Sequence, residues 1–178
     1  MTVRTEKELQ ALQRIGKICA ECVQEMAKHL EPGITSKELD AIGTVFLANH
    51  GARSAPILIY DFPGTTCISI NEVAAHGIPD DRVIKAGDIV NIDVSAELDG
   101  FFGDTGASFA VPPVENVTTQ LFAATRRALD KAVAQVSAGR FINVIGKTVE
   151  REAKQAGFQV LRNLNGHGVG RSIRFRVT

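Results

Sequence analysis

Apolar residues near the start of the chain recur at intervals of three and four: Leu9, Leu12, Ile15, Cys19, Cys22, Met26 and Leu30. That spacing puts them on one stripe of a long helix. Thr5 and Glu8 read as a capping box in front of it, with the threonine accepting from the backbone and the glutamate reaching back. Pro32-Gly33 ends the helix. A second capping box, Thr35 with Glu38, opens a helix striped by Leu39, Ile42 and Phe46 that stops at Gly51. Two short β-type runs follow, Pro56–Tyr60 and Thr66–Ile70, then a loop from Asn71 to Ala86. Beyond Pro112-Pro113 the helical period returns from Gln120 to Val136, with Leu121, Ala124, Ala128, Leu129, Ala132 and Val136 as its stripe. A fourth helix is expected from about Ile142 to Ala156, closing at Gly157.

Between these helical stretches the period changes to two. Gly87 to Phe109 reads as one β-hairpin turning at Asp99-Gly100, a pair that supplies the two positive φ angles of a tight connection. With that turn Leu98 faces Phe101, Ser95 faces Asp104 and Asp93 faces Gly106. Asp93 and Asp104 then share one face as diagonal neighbours, roughly 7–8 Å apart at Cα, within reach of one shared ion. Val90, Ile92, Val94, Thr105, Ala107 and Phe109 occupy the other face, a core face. Neither strand carries a Lys or Arg to neutralise the two acids, so the pair calls for a cation.

The helical pairs are alike in layout. Gly33 to Gly51 and Gly139 to Gly157 are each eighteen residues, and the order long helix, glycine break, helix, glycine repeats at an offset of 106. Residue identity is thin: Leu39 aligns with Ile145, but Phe46 aligns with Glu152. A full second copy would need strands beyond Thr178, so the spacing implies a second half without its strands, leaving apolar surface of its helices uncovered.

Composition narrows the class. The chain has 178 residues, 44% of them hydrophobic, enough for one domain with a core. Basic and acidic residues number 20 each, which argues against a nucleic-acid footprint. No apolar run approaches a membrane span, and no secretory leader is visible. Three cysteines suit a reducing compartment better than a disulfide framework. Cys19 and Cys22 have the CxxC spacing, yet they lie on the apolar stripe of a helix with no second pair or nearby His, and read as core filler.

Two histidines carry chemistry. His167 lies in Asn165-Gly166-His167-Gly168-Val169-Gly170, where three glycines leave the imidazole open on both sides. With two acids lacking a cation, it reads as a ligand; imidazole nitrogen with carboxylate oxygen suits Mn, Fe, Co or Zn. His76, in Ala74-Ala75-His76-Gly77-Ile78-Pro79, could serve as ligand, proton donor or substrate contact. His29 and His50 fall at helix C-termini and read as structural. Asp80-Asp81 reads as a turn.

Taken in order, Cys67-Ile68-Ser69-Ile70-Asn71-Glu72, Ala75–Pro79, Gly87–Val94, Gly103-Asp104-Thr105 and Gly166–Gly170 resemble the motifs of bacterial type I methionine aminopeptidases, over about residue 3 to Ile173. The resemblance implies an α+β pita-bread (creatinase/aminopeptidase) fold of two pseudo-symmetric α/β halves. Residues 1–178 would form a single domain, with 1–110 as the complete first half and 111–178 as an incomplete second. It further implies excision of the N-terminal methionine of nascent proteins in the cytoplasm. Two divalent cations would share a bridging hydroxide, held by two Asp, one His and two Glu, of which Asp93, Asp104 and His167 match three. His76 would contact the scissile amide, and Cys67, Phe62 and Ile59 would line the methionine pocket. Partners implied are N-terminal peptides and, further, the ribosome, with no membrane or nucleic acid.

The likeness breaks at the end, where Arg174 stands at the place of a second substrate-contacting histidine and the tail Phe175–Thr178 departs from the family pattern. The expectation is a C-terminally truncated methionine aminopeptidase with little or no activity. A non-catalytic peptide- or ribosome-binding relative is the alternative, disfavoured because the three ligands persist. Cys67 and the short N-terminal region favour the methionine enzyme over a proline dipeptidase.

Overall fold

The structure is a computed structural model, and it describes residues 3–174. Residues 3–113 together with 167–174 form one compact unit, and 114–166 form a second.

In the first unit, α1 (Glu6–Lys28) buries Ile15, Cys19, Cys22 and Met26 completely, as the stripe requires. Both cysteine thiols are core, and burial pushes each up to about 12. The N-terminal end differs from expectation. Thr5 accepts from the Glu8 N–H at 3.2 Å, but the Glu8 carboxylate takes the N–H of Arg4 at 2.7 Å, one residue before the cap. Leu9 lies 39% exposed, off the core. Helix α2 (Ser36–Asn49) has the full capping box, with Glu38 N–H on the Thr35 hydroxyl at 3.1 Å and Thr35 N–H on the Glu38 carboxylate at 2.8 Å. Thr35→Ala should therefore cost about 1 kcal/mol, read as a shifted urea midpoint at constant slope. No shift would show that tertiary packing alone holds this end.

Pro56–Tyr60 is not a strand. After the two-residue β1 (Arg53–Ser54), Ala55–Tyr60 forms a short helix, α3. The Ser54 hydroxyl accepts from Ile57 N–H at 3.3 Å, Pro56 sits in the first turn, where its missing N–H costs nothing, and Asp61 closes the helix at φ 51°. A cap, a proline and a left-handed stop outweigh the apolar character of the run.

The sheet is organised on β3 (Ile89–Leu98). Its whole length pairs antiparallel with β4 (Phe101–Ala110), while β2 (Cys67–Ile70) and β1 lie end to end along its other edge, all antiparallel. The register is the expected one, with Leu98 opposite Phe101, Ser95 opposite Asp104 and Asp93 opposite Gly106. Asp99 and Gly100 have φ of 53° and 82°, the two positive angles that keep the turn at two residues. Glu97 secures it, accepting from Gly100 N–H at 2.6 Å and from Arg53 at 2.7 Å. Val90, Ile92, Val94 and Ala96 are buried against α1 and α2. The backbone of α1 passes so close to β4 that a Cβ on Gly103 would stand 3.0 Å from Ile15 O. Asp93 and Asp104 therefore face away from the core, on the open side of the sheet.

The second unit holds α4 (Asn116–Val133) and α5 (Asn143–Gln155). Helix α4 begins four residues before Gln120, since the extended Glu115 is its N-cap. Ala124, Ala128 and Ala132 are buried, as are Thr148 and Glu152 of α5, and Lys131 reaches Glu152 at 2.7 Å. The larger members of the expected stripe differ: Leu129 is 53% and Val136 58% exposed. Alanines admit close helix contact, which leaves the bulkier side chains on the outside. Gly51 and Gly157, each directly after a helix C-cap, take positive φ, so α2 and α5 end by the same device, while Gly33 and Gly139, also at positive φ, lie in the connections beyond α1 and α4. No helix among the described residues is long and apolar enough to cross a membrane.

Candidate metal centre

Asp93 and Asp104 reach the open side of the sheet from neighbouring strands, and their carboxyls come within hydrogen-bonding range of one another. Gly106, opposite Asp93, makes room: a Cβ there would lie 3.3 Å from the Asp93 carboxylate. Burial, then the charge of Asp104, push Asp93 up to about 7. Burial also raises Asp104, opposed by the positive potential of His167, a hydrogen bond with Asp93, and the potentials of His76 and Arg174. Two acids crowded in this way keep a shared proton up toward neutral pH, and a cation would compete with it for the site.

His167 Nε2 lies 3.4 Å from Asp104 Oδ2, so the structure brings together the three residues the motifs singled out. The segment bearing it runs beside β4, where Phe102 N–H donates to Gly170 O at 2.7 Å and Ile173 packs on Ala55 and Phe102. Two carboxyls and an imidazole suit a borderline divalent cation. The donors meet in pairs, however: among the described residues no point gathers three His, Cys, Asp or Glu side chains in ligand geometry. The acidic pair fits a cation, and the imidazole stands next to one acid without closing a cage.

His76 enters from the loop after β2. It takes φ 56°, a left-handed conformation, just before Gly77, whose N–H donates to the Ser69 hydroxyl at 3.1 Å and whose carbonyl accepts from Ile68 N–H at 2.9 Å. Cys67 stands directly opposite Asp93 in the register. Its thiol is buried and pushed up to about 12, first by burial and then by the charges of Asp93 and Asp104, so it stays a neutral, apolar wall. Phe62 is half-buried, and Ile59 on α3 is 47% exposed. Two surface hollows, of about 420 Å³ and 330 Å³, are lined by none of these residues.

Two contributors, Asp40 and Ser69, are not visible in the sequence, while Arg174 stands out there. Asp40 of α2 accepts from the N–H groups of Thr65 and Thr66 and from the Thr66 hydroxyl, at 2.6–3.0 Å, pinning the chain just before Cys67. Ser69 holds Gly77 as described. Arg174 lies with its guanidinium 5.6 Å from the Tyr60 ring centroid and bears electrostatically on Asp104. Asp40 follows Leu39 within a helical stripe, and only the fold reveals what it holds. The tail Phe175–Thr178, singled out for its departure from the family pattern, lies outside the described residues.

Comparison with known proteins places this geometry. The sequence pattern of metallopeptidase family M24 matches residues 10–176. A curated relative, methionine aminopeptidase 2 of Bacillus subtilis, is 47% identical over 174 residues, covering 97% of this chain and 70% of its own length. The chain belongs to metallopeptidase family M24. Its fold is the pita-bread fold that the motifs implied. The crystal structure of methionine aminopeptidase from Rickettsia prowazekii matches with TM-score 0.94 at 35% identity, covering 99% of this chain and 71% of that one. That of the Thermotoga maritima methionine aminopeptidase matches with TM-score 0.95 at 28% identity, covering 99% and 72%. Within family M24, this chain therefore has bacterial methionine aminopeptidases as close relatives, and it spans about 70% of their length.

Proposed function

We propose that this chain carries the substrate-facing and part of the metal-holding apparatus of a methionine aminopeptidase, acting on N-terminal methionine of nascent chains in the cytoplasm. The observation that carries the reading is the half-buried Asp93–Asp104 pair with His167 at 3.4 Å from Asp104, in a chain 47% identical to a methionine aminopeptidase. A divalent cation bound there would supply Lewis acidity toward water and the scissile carbonyl. Asp93, Asp104 and His167 would hold it, and its binding would displace the proton that Asp93 keeps near neutrality. His76 would donate a hydrogen bond to the scissile amide, held in place by the Gly77 contacts with β2. Cys67, with Phe62 and Ile59, would offer the thioether an uncharged wall.

By itself the chain is proposed to turn over little or no peptide. Its donors meet only in pairs among the described residues, and Arg174 places a positive charge toward Asp104, where a cation would have to bind. Retention of all three donors favours a peptidase site over a non-catalytic peptide- or ribosome-binding module. The test combines two readouts on the purified chain. Manganese binding should be abolished by Asp104→Asn, and unchanged binding would sink the metal site. Free methionine released from a Met-Gly peptide with added manganese or cobalt should be negligible. Release at the rate of the Bacillus subtilis relative, assayed alongside, would overturn the proposed inactivity.

A further inference from the structure

The imidazole that meets Asp104 belongs to a segment with almost no stiffness of its own. Gly166, Gly168 and Gly170 flank His167 and Val169, so the backbone there is free to move unless its neighbours fix it. Gly168 takes part in a β-bridge, the Gly170 carbonyl accepts from Phe102 N–H at 2.7 Å, and the anchoring continues at Arg171. The Arg171 side chain spans two elements. Its guanidinium donates to the Glu8 carboxylate in the first turn of α1 at 3.1 Å and lies 4.3 Å from the centroid of the Phe101 ring on β4. Glu8 is itself held by the N–H of Arg4 at 2.7 Å, and its carboxyl is kept below the ordinary range by that bond and then by Arg171. The displaced half of the α1 capping box thus has a use: the carboxylate is turned toward Arg171.

From this we infer that Arg171 is a positioning residue for His167, clamping the glycine-rich segment to α1 and β4 so that the imidazole stays at Asp104. The guanidinium suits this place because one face stacks on an aromatic ring while its edge donates to a carboxylate. A lysine could keep the ion pair but not the stacking. Arg171 is four residues from His167 and is not placed to touch substrate or metal; it acts through the backbone of residues 168–170.

The inference rests on the proposed role of His167 as a metal donor, and the experiment separates the two. In the purified chain the manganese affinity is measured for native, His167→Ala, Arg171→Ala and the double variant, and the His167 imidazole resonances are recorded without metal. Arg171→Ala should weaken manganese binding by about 5- to 20-fold, Arg171→Lys by less, and Arg171→Ala should add nothing in a His167→Ala background. The His167 resonances should move toward unfolded positions in Arg171→Ala while those of His76 stay. A full effect of Arg171→Ala in the His167→Ala background, or unmoved His167 resonances in a folded Arg171→Ala chain, overturns the inference. His167→Ala leaving manganese affinity unchanged would instead overturn the role of His167, with the resonances still deciding whether Arg171 positions it. Should Arg171→Ala fail to fold, Glu8→Gln, which keeps the phenylalanine stack, should shift the same resonances part-way.

Discussion

Gly77→Ala should be the most damaging single-methyl change in the first unit. A Cβ on Gly77 would lie 2.1 Å from the Ile68 carbonyl oxygen, 2.7 Å from its carbon and 2.9 Å from Ser69 Cα. All three are backbone atoms of a buried strand, so no side-chain rotation relieves the overlap. The loop must lift from β2. Doing so breaks the Ile68 N–H bond to Gly77 O and the Gly77 N–H bond to Ser69, both at buried groups that find no other partner there. Losing two such bonds and reseating the loop should cost about 3 kcal/mol or more. For a chain of this size that is a fall of roughly 6–12 °C in melting temperature. Because His76, at positive φ, precedes Gly77, its imidazole should also leave the site, changing its resonances while those of His29 and His50, the C-caps of α1 and α2, hold still. A melting temperature within a degree of native would mean the loop accommodates the methyl, and the close approach at Gly77 would lose its significance.

The second large effect is a pH dependence that runs against the usual carboxylate direction. Asp93, pushed up to about 7 by burial and by Asp104, binds its proton more tightly folded than unfolded, where an aspartate titrates near 3.9. Between those values the folded state holds more protons, so stability falls as pH rises. The contribution is complete below about pH 4 and is lost by about pH 7. Metal-free chain should therefore be about 2–3 kcal/mol more stable at pH 5 than at pH 7.5 on this account. Asp93→Asn should be nearly flat across that range and more stable than native at pH 7.5. The carboxyls held low by partners, such as Glu97 beside Arg53, act in the opposite sense and below this window. Denaturant titrations in chelator at both pH values decide it: a native chain as stable at pH 7.5 as at 5, with Asp93→Asn showing the same profile, would mean the acidic pair is well solvated. A divalent cation that removes the native slope would show what the pair is for.

Both effects grow from features of different legibility. The hairpin could be read directly. Alternation and the Asp99-Gly100 turn are local, and a two-residue turn allows one register, so the pairing of Ser95 with Asp104 followed from the chain alone. The Gly77 clamp could not be read. Its glycine has no positive φ and no turn to announce it; it is required only because β2 passes within a methyl radius. Asp40 and Ser69 are equally silent, each a polar residue whose partner lies across the fold. The run Pro56–Tyr60 shows local rules conflicting, with apolar character suggesting a strand while Ser54, Pro56 and Asp61 built a helix.

The stripe of α4 failed for another reason. Periodicity identifies an apolar side of a helix but not how wide the buried arc will be, and three alanines took the contact while Leu129 and Val136 were left out. The capping box of α1 was half right, because the Glu8 carboxylate had a competing donor one residue earlier and a cation 163 positions away.

What the sequence determined by itself is whatever rests on neighbours along the chain: helix ends set by glycine, the hairpin register, two acids sharing one face, and the motif order that places the chain in its family. What only the tertiary structure decided is whatever depends on atoms distant in sequence and near in space. This includes the proton Asp93 keeps near neutrality, the 3.4 Å approach of His167 to Asp104, the clamps at Asp40, Gly77 and Arg171, and the pairwise meeting of the metal donors. Desolvation and close backbone approach are properties of the packed molecule, and no local pattern encodes them.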